Sequence, residues 1–295
     1  MAFTIGEIAK ILGGRGQIVS PEAPIRQLLT DSRNVSFGAE SLFFAIPGTQ
    51  HDGHAYIDQA LQAGVRCFVV EKMPQKTTAD ANFILVPVAI RALQQVAAAH
   101  RGLFDIPVIG ITGSNGKTIV KEWLNHLLQT QMDIVRSPRS YNSQIGVPLS
   151  VWEMDARHEL GIFEAGISQP GEMEYLQKVI QPTIGLFTNI GHPHSEGFRD
   201  DAEKLQEKMH LFTSCHRIIY CADQPEVQRF MQSTGKGFSW SREHDQADVC
   251  VRDVLVDATS TQFHIQFQSH LIHLHIQFTD AASIENAIHA IVAAL

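Results

Sequence analysis

The feature that most constrains this chain is an apolar strand that runs directly into a glycine-rich turn and then into a helix. The segment is Val108-Ile-Gly-Ile-Thr-Gly-Ser-Asn-Gly-Lys-Thr118. Gly113 and Gly116 allow the backbone to bend with its N–H groups directed inward, where they can bind phosphate. Lys117 can reach the β- and γ-phosphates of a nucleotide, and the Thr118 hydroxyl can bind magnesium. The segment therefore predicts ATP and Mg²⁺ as ligands. The predicted nucleotide-binding residues of the loop are Gly113, Ser114, Asn115, Gly116, Lys117 and Thr118.

The loop departs from the general Walker spacing in one position. That spacing places a glycine six residues before the lysine, where this chain has Ile111. The loop is therefore a variant of the pattern, and an ordinary strand-to-helix turn is the alternative interpretation. The strand before the turn and the helix after it favour the phosphate loop.

Composition narrows the class of protein. The chain has 295 residues, of which 44% are hydrophobic and 18% charged, as expected for a globular protein of about two domains. The net charge is −8 and no long run of Lys or Arg occurs, so we expect no nucleic-acid partner. The four cysteines form no CxxC pair, which favours reduced thiols over disulfides or a zinc site. No apolar stretch approaches the roughly 18 residues of a membrane span. We expect a monomeric, cytoplasmic protein without membrane insertion.

Strand and helix patterns alternate along most of the chain. Before residue 104, the apolar runs 42–46 and 67–70 predict buried strands on either side of a helix at 56–63. Asp105-Ile-Pro107 interrupts the pattern and suggests a domain boundary, which gives domains at 1–103 and 104–295. In the second domain, further strands are predicted at 108–112, 160–164, 184–188 and 217–221. This order predicts an α/β fold with a mainly parallel sheet.

The end of the chain has a different period. Residues 249–256 and 263–278 alternate between apolar and polar positions, which predicts additional antiparallel strands with one solvated face. An alanine-rich helix is predicted at 283–295.

Polar side chains follow the predicted parallel strands. Glu164 ends one strand and Asn189 follows the next, and the carboxyl ends of parallel strands meet at one edge of the sheet, where ligands bind. A carboxylate beside an ATP loop is a suitable magnesium ligand, although a helix cap or an ion pair is the alternative role.

Six motifs occur in the order found in a known family. They are TDSR at 30–33, LFFAIPG with HDGH at 42–54, GSNGKT at 113–118, YNSQIGVPLS at 141–150, EAGISQPGEM at 164–173 and TNIGHPH at 188–194. Essentially the whole chain thus resembles the Mur ligases of peptidoglycan synthesis, most closely those that add a dipeptide. The resemblance implies an N-terminal UDP-substrate-binding domain over 1–103 and a central ATP-binding domain over 104–295. By the resemblance we expect the chain to be a two-domain fragment that lacks the C-terminal domain of the family. Because the resemblance extends to fusions with an alanine racemase, a missing part of more than one domain stays open.

The resemblance also implies an activity. The terminal carboxylate of UDP-N-acetylmuramoyl-tripeptide would be activated by ATP as an acyl phosphate, and the amine of D-alanyl-D-alanine would displace phosphate. Two alternatives stay open: a chain that binds nucleotide and UDP-substrate without turnover, and a relative such as a folylpolyglutamate-type ligase that acts on another carboxylate. The TDSR and HDGH segments argue against the second alternative.

Site residues carry over from the family one by one. Lys117 and Thr118 would bind the ATP phosphates and magnesium, and Glu164 and His194 would complete the magnesium coordination. Lys208 lies fourteen residues after His194 and corresponds to the family's carbamylated lysine, which holds a second magnesium; a solvated charge is the alternative. Lys117, His194 and Lys208 are the predicted catalytic residues. Asn286 resembles the family's adenine contact, and the remaining expected substrate-binding residues are Ser32, Arg33, Gly48, Asp52, His54 and Asn142.

Overall fold

The computed structural model describes residues 3–48, 51–75, 78–191 and 197–295. The chain divides into two compact units. The first unit runs to Phe104 and also includes Gln144–Asp155, and the second is formed by Asp105–Ser143 and Ala156–Leu295. Both units are α/β structures, as predicted.

Strands and helices alternate through both units. The strands are β1 (Phe3–Thr4), β2 (Arg15–Gln17), β3 (Pro24–Ile25), β4 (Gln27–Leu29), β5 (Ser41–Phe44), β6 (Cys67–Val70), β7 (Asn82–Leu85), β8 (Val108–Thr112), β9 (Ile134–Arg136), β10 (Leu160–Glu164), β11 (Ile184–Phe187), β12 (Arg217–Cys221), β13 (Gly237–Ser241), β14 (Val249–Val256), β15 (Thr261–Phe267) and β16 (His270–Ile276). The helices are α1 (Ile5–Leu12), α2 (Ile57–Gln62), α3 (Ala89–Arg101), α4 (Lys117–Leu128), α5 (Gly146–Trp152), α6 (Glu172–Ile180), α7 (Asp201–Met209), α8 (Pro225–Thr234) and α9 (Ala281–Ala294).

The first unit is built on a five-stranded sheet in the order β2-β7-β6-β5-β4. The strands β4 to β7 pair in parallel, and β2 pairs antiparallel at one end. Because successive side chains point to opposite faces, Phe43 and Phe68 belong to one apolar cluster while Phe44 and Val69 belong to another. Both faces are therefore buried, as is usual for a parallel sheet.

The segment 144–155 belongs to the first unit, although it lies beyond the boundary that the sequence suggested. Its helix α5 ends at Trp152, whose indole nitrogen donates to the carbonyl of Arg26 at 3.0 Å. The Trp152 ring packs on His100, with ring centroids 4.5 Å apart, and on Phe3. These contacts with residues distant in sequence explain why the segment joins the first unit.

The second unit is built on a nine-stranded sheet in the order β16-β15-β14-β13-β12-β11-β8-β10-β9. The strands β8 to β14 pair in parallel, and β14, β15 and β16 pair antiparallel. The predicted mainly parallel sheet with additional antiparallel strands is therefore confirmed. Side chains of α4 and α9 share an apolar cluster with the β8 and β10 side chains.

The order of strands places β8 between β10 and β11. The chain leaves β8 through α4 to one side of the sheet and later returns to the other side at β11. A ligand crevice is expected at the carboxyl ends of the strands beside such a switch in direction. The glycine-rich turn follows β8 and therefore lies at that position.

None of the helices in the described part of the chain has the length and apolar character that crossing a bilayer requires.

Candidate active site

The glycine-rich turn connects β8 to α4 through residues 113–116, as predicted. Gly113 has a φ of +146°, and a Cβ there would lie 2.0 Å from the Thr188 hydroxyl oxygen. Gly116 has a φ of +80°, and a Cβ there would lie 2.1 Å from Oδ1 of Asn286. Both positions thus require glycine. Because α4 begins at Lys117 without a capping side chain, the N–H groups of its first turn are available to an anion.

The two residues that follow β11 hold the turn in place through hydrogen bonds. The Ser114 amide donates to the carbonyl oxygen of Asn189 at 2.8 Å, and the Asn115 amide donates to Oδ1 of Asn189 at 3.1 Å. The Thr188 hydroxyl donates to the carbonyl oxygen of Asn115 at 2.6 Å. The amides of Ser114 and Asn115 are therefore engaged within the protein and are not available to an anion.

Glu164 and Thr118 form a pair suited to a metal ion. Glu164 ends β10 and is fully buried. Its Oε2 accepts a hydrogen bond of 2.8 Å from the Thr118 hydroxyl, while its Oε1 is buried without a hydrogen-bond partner. A carboxylate and a hydroxyl oxygen beside a phosphate loop are ligands that Mg²⁺ prefers. The unsatisfied carboxylate oxygen therefore fits a magnesium site.

Three lysines converge on the turn. The ammonium groups of Lys117 and Lys208 both donate to the carbonyl oxygen of Gly113, each at 3.0 Å. The ammonium group of Lys204 lies 3.5 Å from the carbonyl oxygen of Gly191. Burial, with the added repulsion of Lys117 and Lys204, lowers the pKa of Lys208 to about 7, and burial also lowers the pKa of Lys117.

A cavity of about 490 Å³ lies between the turn, the segment after β10 and α7. All three lysines line it, together with Asn142. The carbonyl oxygen of Asn142 accepts a hydrogen bond of 2.8 Å from the Gly166 amide, which holds the Asn142 segment beside the end of β10. Among the described residues that line the cavity, none carries a carboxylate.

The structure brings most of the predicted residues of the second unit to one edge of the sheet. The turn 113–118, Asn142, Glu164 and Lys208 lie there, and Asn286 reaches the same turn from α9 through its approach to Gly116. Asn286 is 5% exposed. His194 lies outside the described residues.

In the first unit, Ser32 and Arg33 line a cavity of about 410 Å³ together with Tyr56. The Arg33 guanidinium binds both carboxylate oxygens of Asp31, with nitrogen–oxygen distances of 2.9 and 2.7 Å, and holds the pKa of that carboxyl below its usual value. The Arg33 side chain is nevertheless 79% exposed. Its position leaves it accessible to an anionic ligand.

The other predicted residues of the first unit have contacts within their own loop. Asp52 accepts hydrogen bonds from Lys72 at 2.9 Å and from Nδ1 of His54 at 2.7 Å, and these contacts, with the His54 amide, lower the pKa of Asp52. Nε2 of His54 accepts hydrogen bonds from the backbone amides of Glu71 and Lys72. Because Nε2 accepts, Nδ1 is the ring nitrogen that donates to Asp52. The amide of Gly48 donates to the carbonyl oxygen of His51 at 2.8 Å. Asp52 and His54 therefore hold this loop against the end of β6.

Sequence reasoning missed two lysines of the second unit. Lys121 is fully buried, and its ammonium group donates to the carbonyl oxygens of Ser137, at 2.7 Å, and of Arg139, and lies 3.8 Å from Oε1 of Glu164. Lys204 lines the cavity of about 490 Å³ beside the glycine-rich turn. Both follow a helical spacing of four residues, Lys121 after Lys117 and Lys204 before Lys208. This spacing places each pair on one face of a helix and would have identified both lysines.

The buried contacts of Lys121 lead to a stability prediction. Lys121→Met removes the ammonium group and leaves two carbonyl oxygens and the Glu164 carboxylate without it. We expect the free energy of unfolding to fall by about 3–5 kcal/mol, the range for removing one partner of a buried ion pair. Urea unfolding followed by circular dichroism measures the change. Lys178→Met is the control, because the Lys178 side chain is 60% exposed and pairs with Glu174 on the surface; its unfolding midpoint should match that of the unchanged protein. Equal stability of Lys121→Met and the control would contradict the assigned role.

Sequence profiles of two domain families match the chain. The Mur ligase middle domain matches residues 111–294, and the catalytic domain of the Mur ligase family matches residues 24–101. A UDP-N-acetylmuramoyl-tripeptide–D-alanyl-D-alanine ligase of Bacillus subtilis (strain 168) is 28% identical over 269 residues, which cover 89% of this chain and 57% of that protein. A Treponema pallidum ligase of the same name is 34% identical over 62% of this chain and 41% of its own length. The chain thus matches 57% of the length of the first relative and 41% of the length of the second.

Solved structures give the same likeness at the level of the fold. MurF from Acinetobacter baumannii superimposes with a TM-score of 0.89 at 23% identity, over all of this chain and 65% of that protein. MurF ligase from Thermotoga maritima, solved in complex with ADP, superimposes with a TM-score of 0.79 at 25% identity, over 91% of this chain and 62% of that protein.

Proposed function

Because this chain belongs to the Mur ligase family, we propose that it forms the nucleotide-binding and UDP-substrate-binding part of an ATP-dependent amide ligase. The proposed ligase adds D-alanyl-D-alanine to UDP-N-acetylmuramoyl-tripeptide, the reaction named in its relatives. The observation that carries the proposal is the contact between the Thr118 hydroxyl and Glu164 beside a lysine-lined phosphate loop. This arrangement suits phosphoryl transfer from a nucleotide.

The proposed reaction has two steps. A carboxylate oxygen of the tripeptide attacks the γ-phosphorus of ATP, the bond to the bridging oxygen breaks, and ADP leaves. The amine of D-alanyl-D-alanine then attacks the acyl carbon, inorganic phosphate leaves, and the nitrogen loses a proton. In the first step two anions must approach each other, so the site has to neutralise charge and fix their geometry.

Different residues of the chain have different proposed roles in this reaction. Lys117 binds the β- and γ-phosphates together with the amides of the first turn of α4. Thr118 and Glu164 are the proposed ligands of Mg²⁺, which would neutralise phosphate charge when bound. Asn142 lines the same cavity and is a proposed substrate contact. Asn286, beside the turn, is the proposed adenine contact.

Lys208 is the proposed site of carbamylation. Its pKa of about 7 leaves a substantial share of the amine uncharged near neutral pH, and the neutral nitrogen is the form that attacks CO₂. A nitrogen–carbon bond forms, one proton is released, and the resulting carboxylate would join His194 as a further metal ligand. A ¹³C carbamate resonance after addition of labelled bicarbonate, absent in Lys208→Arg, is the readout for this modification.

The first unit is proposed to bind the uridine diphosphate. Ser32 is buried at its cavity. Arg33 presents an exposed guanidinium, and the N–H groups that Asp31 does not use can bind a diphosphate. The neighbouring loop is held in place by hydrogen bonds of Gly48, Asp52 and His54. We propose that these residues fix the shape of the substrate site and do not contact the substrate.

A thermal-shift comparison tests the substrate class. At a concentration 100 times the Kd, a bound ligand stabilises the native state by about 2.7 kcal/mol, so we expect UDP-N-acetylmuramoyl-tripeptide to raise the melting temperature by roughly 5 °C or more. A folate at the same concentration should leave it unchanged. The opposite pattern would favour a folylpolyglutamate-type ligase.

Turnover is measured as the ADP formed in the presence of both UDP-N-acetylmuramoyl-tripeptide and D-alanyl-D-alanine. The measurement compares the 295-residue chain with a longer form that contains the remaining length of the relatives. ADP formation that requires both substrates supports the ligase. Substrate binding with no ADP formation by either form would favour the binding-only alternative.

A further inference from the structure

We propose that the pair of strands β15 and β16 binds a transition-metal ion such as Zn²⁺ through His264, His273 and His275, with Asp253 orienting His264. The site is remote from the proposed nucleotide site, because β15 lies five strands from β8 in the nine-stranded sheet, about 24 Å at roughly 4.8 Å per strand. The inference therefore goes beyond the proposed function and does not depend on it.

The register of the two strands brings the histidines to one face. β15 and β16 pair antiparallel, and His264 lies directly opposite His273. Because successive side chains point to opposite faces, His275 lies on the same face as His273. The other face of both strands packs on the apolar core of the second unit, through Phe263, Ile265, Ile272, Leu274 and Ile276. The three imidazoles thus share the face that the core does not cover, where His273 and His275 are exposed and His264 is half-buried.

The imidazoles of His264 and His273 are close enough to share an ion. Their ring centroids lie 4.2 Å apart, and the ring planes are 79° apart. Two imidazole nitrogens that bind one Zn²⁺ at about 2.0–2.1 Å place their ring centroids roughly 5 Å apart, so a small side-chain rotation is sufficient. His275 lies two residues further along β16, and its exposed side chain can rotate toward the pair.

The carboxylate of Asp253 fixes the orientation of His264. Its Oδ2 lies 3.0 Å from Nδ1 of His264. A carboxylate accepts, so Nδ1 donates, and the lone pair of the neutral ring is on Nε2. Metal-binding histidines usually donate their second ring nitrogen to such a group. Asp253 has a φ of +52° and lies where the pairing of β14 with β15 shifts register. This irregularity of β14 is what brings a carboxylate to the His264 ring.

The charges and the ligand type select the class of metal. Asp253 supplies a negative charge, and the other cross-strand neighbour of His264 is Arg252, whose guanidinium pairs with Asp245. Imidazole nitrogen suits Zn²⁺, Cu²⁺ and Ni²⁺, whereas Mg²⁺ prefers oxygen ligands. Three histidines with an open fourth position are a known ligand set for Zn²⁺. The site therefore selects a transition-metal ion over the Mg²⁺ proposed for the nucleotide site.

A second group of metal-binding residue types serves as an internal comparison. Asp223, Glu243 and His244 have ligand atoms within 4.8 Å of one another. The Asp223 carboxylate, however, already accepts hydrogen bonds from the Ser241 hydroxyl and the Arg242 amide. This group also has a single imidazole, so we assign the transition-metal ion to the histidines of β15 and β16.

Calorimetric titration of Zn²⁺ into the untagged chain, in the presence of excess Mg²⁺, tests the site. Loss of an outer partner of a metal-bound histidine costs about 10- to 100-fold in affinity. We therefore expect Asp253→Asn to lower the Zn²⁺ affinity by about 10-fold. His264→Asn and His273→Asn should each cause a larger loss, because each removes a ligand. His275→Asn should cause a loss of about 10-fold, since the two other imidazoles remain.

Two histidine variants are matched controls. His270→Asn removes a histidine of the same strand that lies opposite Phe267, on the face directed to the core. His244→Asn removes the imidazole of the comparison group. Both variants should bind Zn²⁺ like the unchanged chain. Circular dichroism of every variant should match that of the unchanged chain, because the substituted side chains lie at exposed or half-buried positions.

The outcomes are distinguishable. Unchanged Zn²⁺ affinity in His264→Asn or His273→Asn would overturn the inference, as would a loss in His270→Asn as large as theirs, which would indicate binding without a defined site. A loss confined to His244→Asn would assign the ion to the comparison group. Unchanged affinity in His275→Asn would remove that residue from the site. ATP binding should be equal in all these variants, so a failure here leaves the proposed function intact.

Discussion

Replacement of Lys117 by alanine is expected to reduce ADP formation at least 10³-fold and to weaken ATP binding by 10- to 100-fold. The rate estimate corresponds to the loss of a positively charged group that stabilises the transferring phosphoryl group. The binding estimate corresponds to the loss of a charge-assisted hydrogen bond to phosphate. The side chain lies at the start of α4, with its ammonium group 3.0 Å from the carbonyl oxygen of Gly113. No other side chain of the turn carries a positive charge.

Two measurements separate these effects. Equilibrium titration with a fluorescent ATP analogue gives the loss of binding affinity. The loss of rate is measured in the longer form of the protein, as ADP formed in the presence of both UDP-N-acetylmuramoyl-tripeptide and D-alanyl-D-alanine. Lys178→Ala is the matched control, because it removes an exposed lysine of the same unit that pairs with Glu174 at the surface. Substrate-dependent ADP formation that persists in Lys117→Ala would contradict the assignment of the phosphate loop.

The strand, the glycine-rich turn and the start of α4 could be predicted because their determinants are local. A run of apolar residues, two glycines and a Lys-Thr pair within 108–118 contain all the information needed for a strand, a turn and a helix start. Glu164 could be predicted as its neighbour because parallel strands end at one edge of the sheet. The Thr118–Glu164 contact of 2.8 Å agrees with that reasoning.

Other elements depend on contacts that no local pattern contains. The strand β9 has only three residues, and α5 has seven, so neither has a periodic pattern long enough to detect. The helix α5 joins the first unit through Trp152, whose partners Arg26 and His100 are distant in sequence. The role of Asn189 in bracing the turn also depends on the tertiary structure, although its position at a strand end was apparent.

The predicted substrate residues illustrate the same limit. The sequence predicts substrate-binding residues in both the TDSR and the HDGH motif. In the structure, Ser32 and Arg33 line a cavity, whereas Asp52 and His54 bond to the end of β6. A motif shows which residues a family keeps together, but it does not separate those that contact a ligand from those that hold the loop. That distinction requires the hydrogen-bond partners of each side chain.

Glu164→Gln is expected to weaken the effect of Mg²⁺ on nucleotide binding by about 10- to 100-fold, the range seen when the surroundings of a metal site are altered. The rate of ADP formation is also expected to fall. The glutamine has the same shape, and its amide oxygen can still accept the hydrogen bond from the Thr118 hydroxyl. It lacks the negative charge, however, and a neutral amide is a weaker ligand for a hard cation than a carboxylate. The expected loss is therefore specific to the metal-dependent part of binding.

The structure offers a matched control for this variant on the same lysine. Glu122 lies 3.2 Å from the Lys121 ammonium group, as Glu164 lies 3.8 Å from it, but Glu122 is half-buried at the surface and pairs with Arg136. Glu122→Gln thus removes a carboxylate from Lys121 without changing the Thr118 contact. Titration of Mg²⁺ at fixed ADP, followed with a fluorescent analogue, should show a shift for Glu164→Gln and none for Glu122→Gln. Equal Mg²⁺ dependence in both variants would mean that Glu164 balances the charge of Lys121 and does not bind the metal.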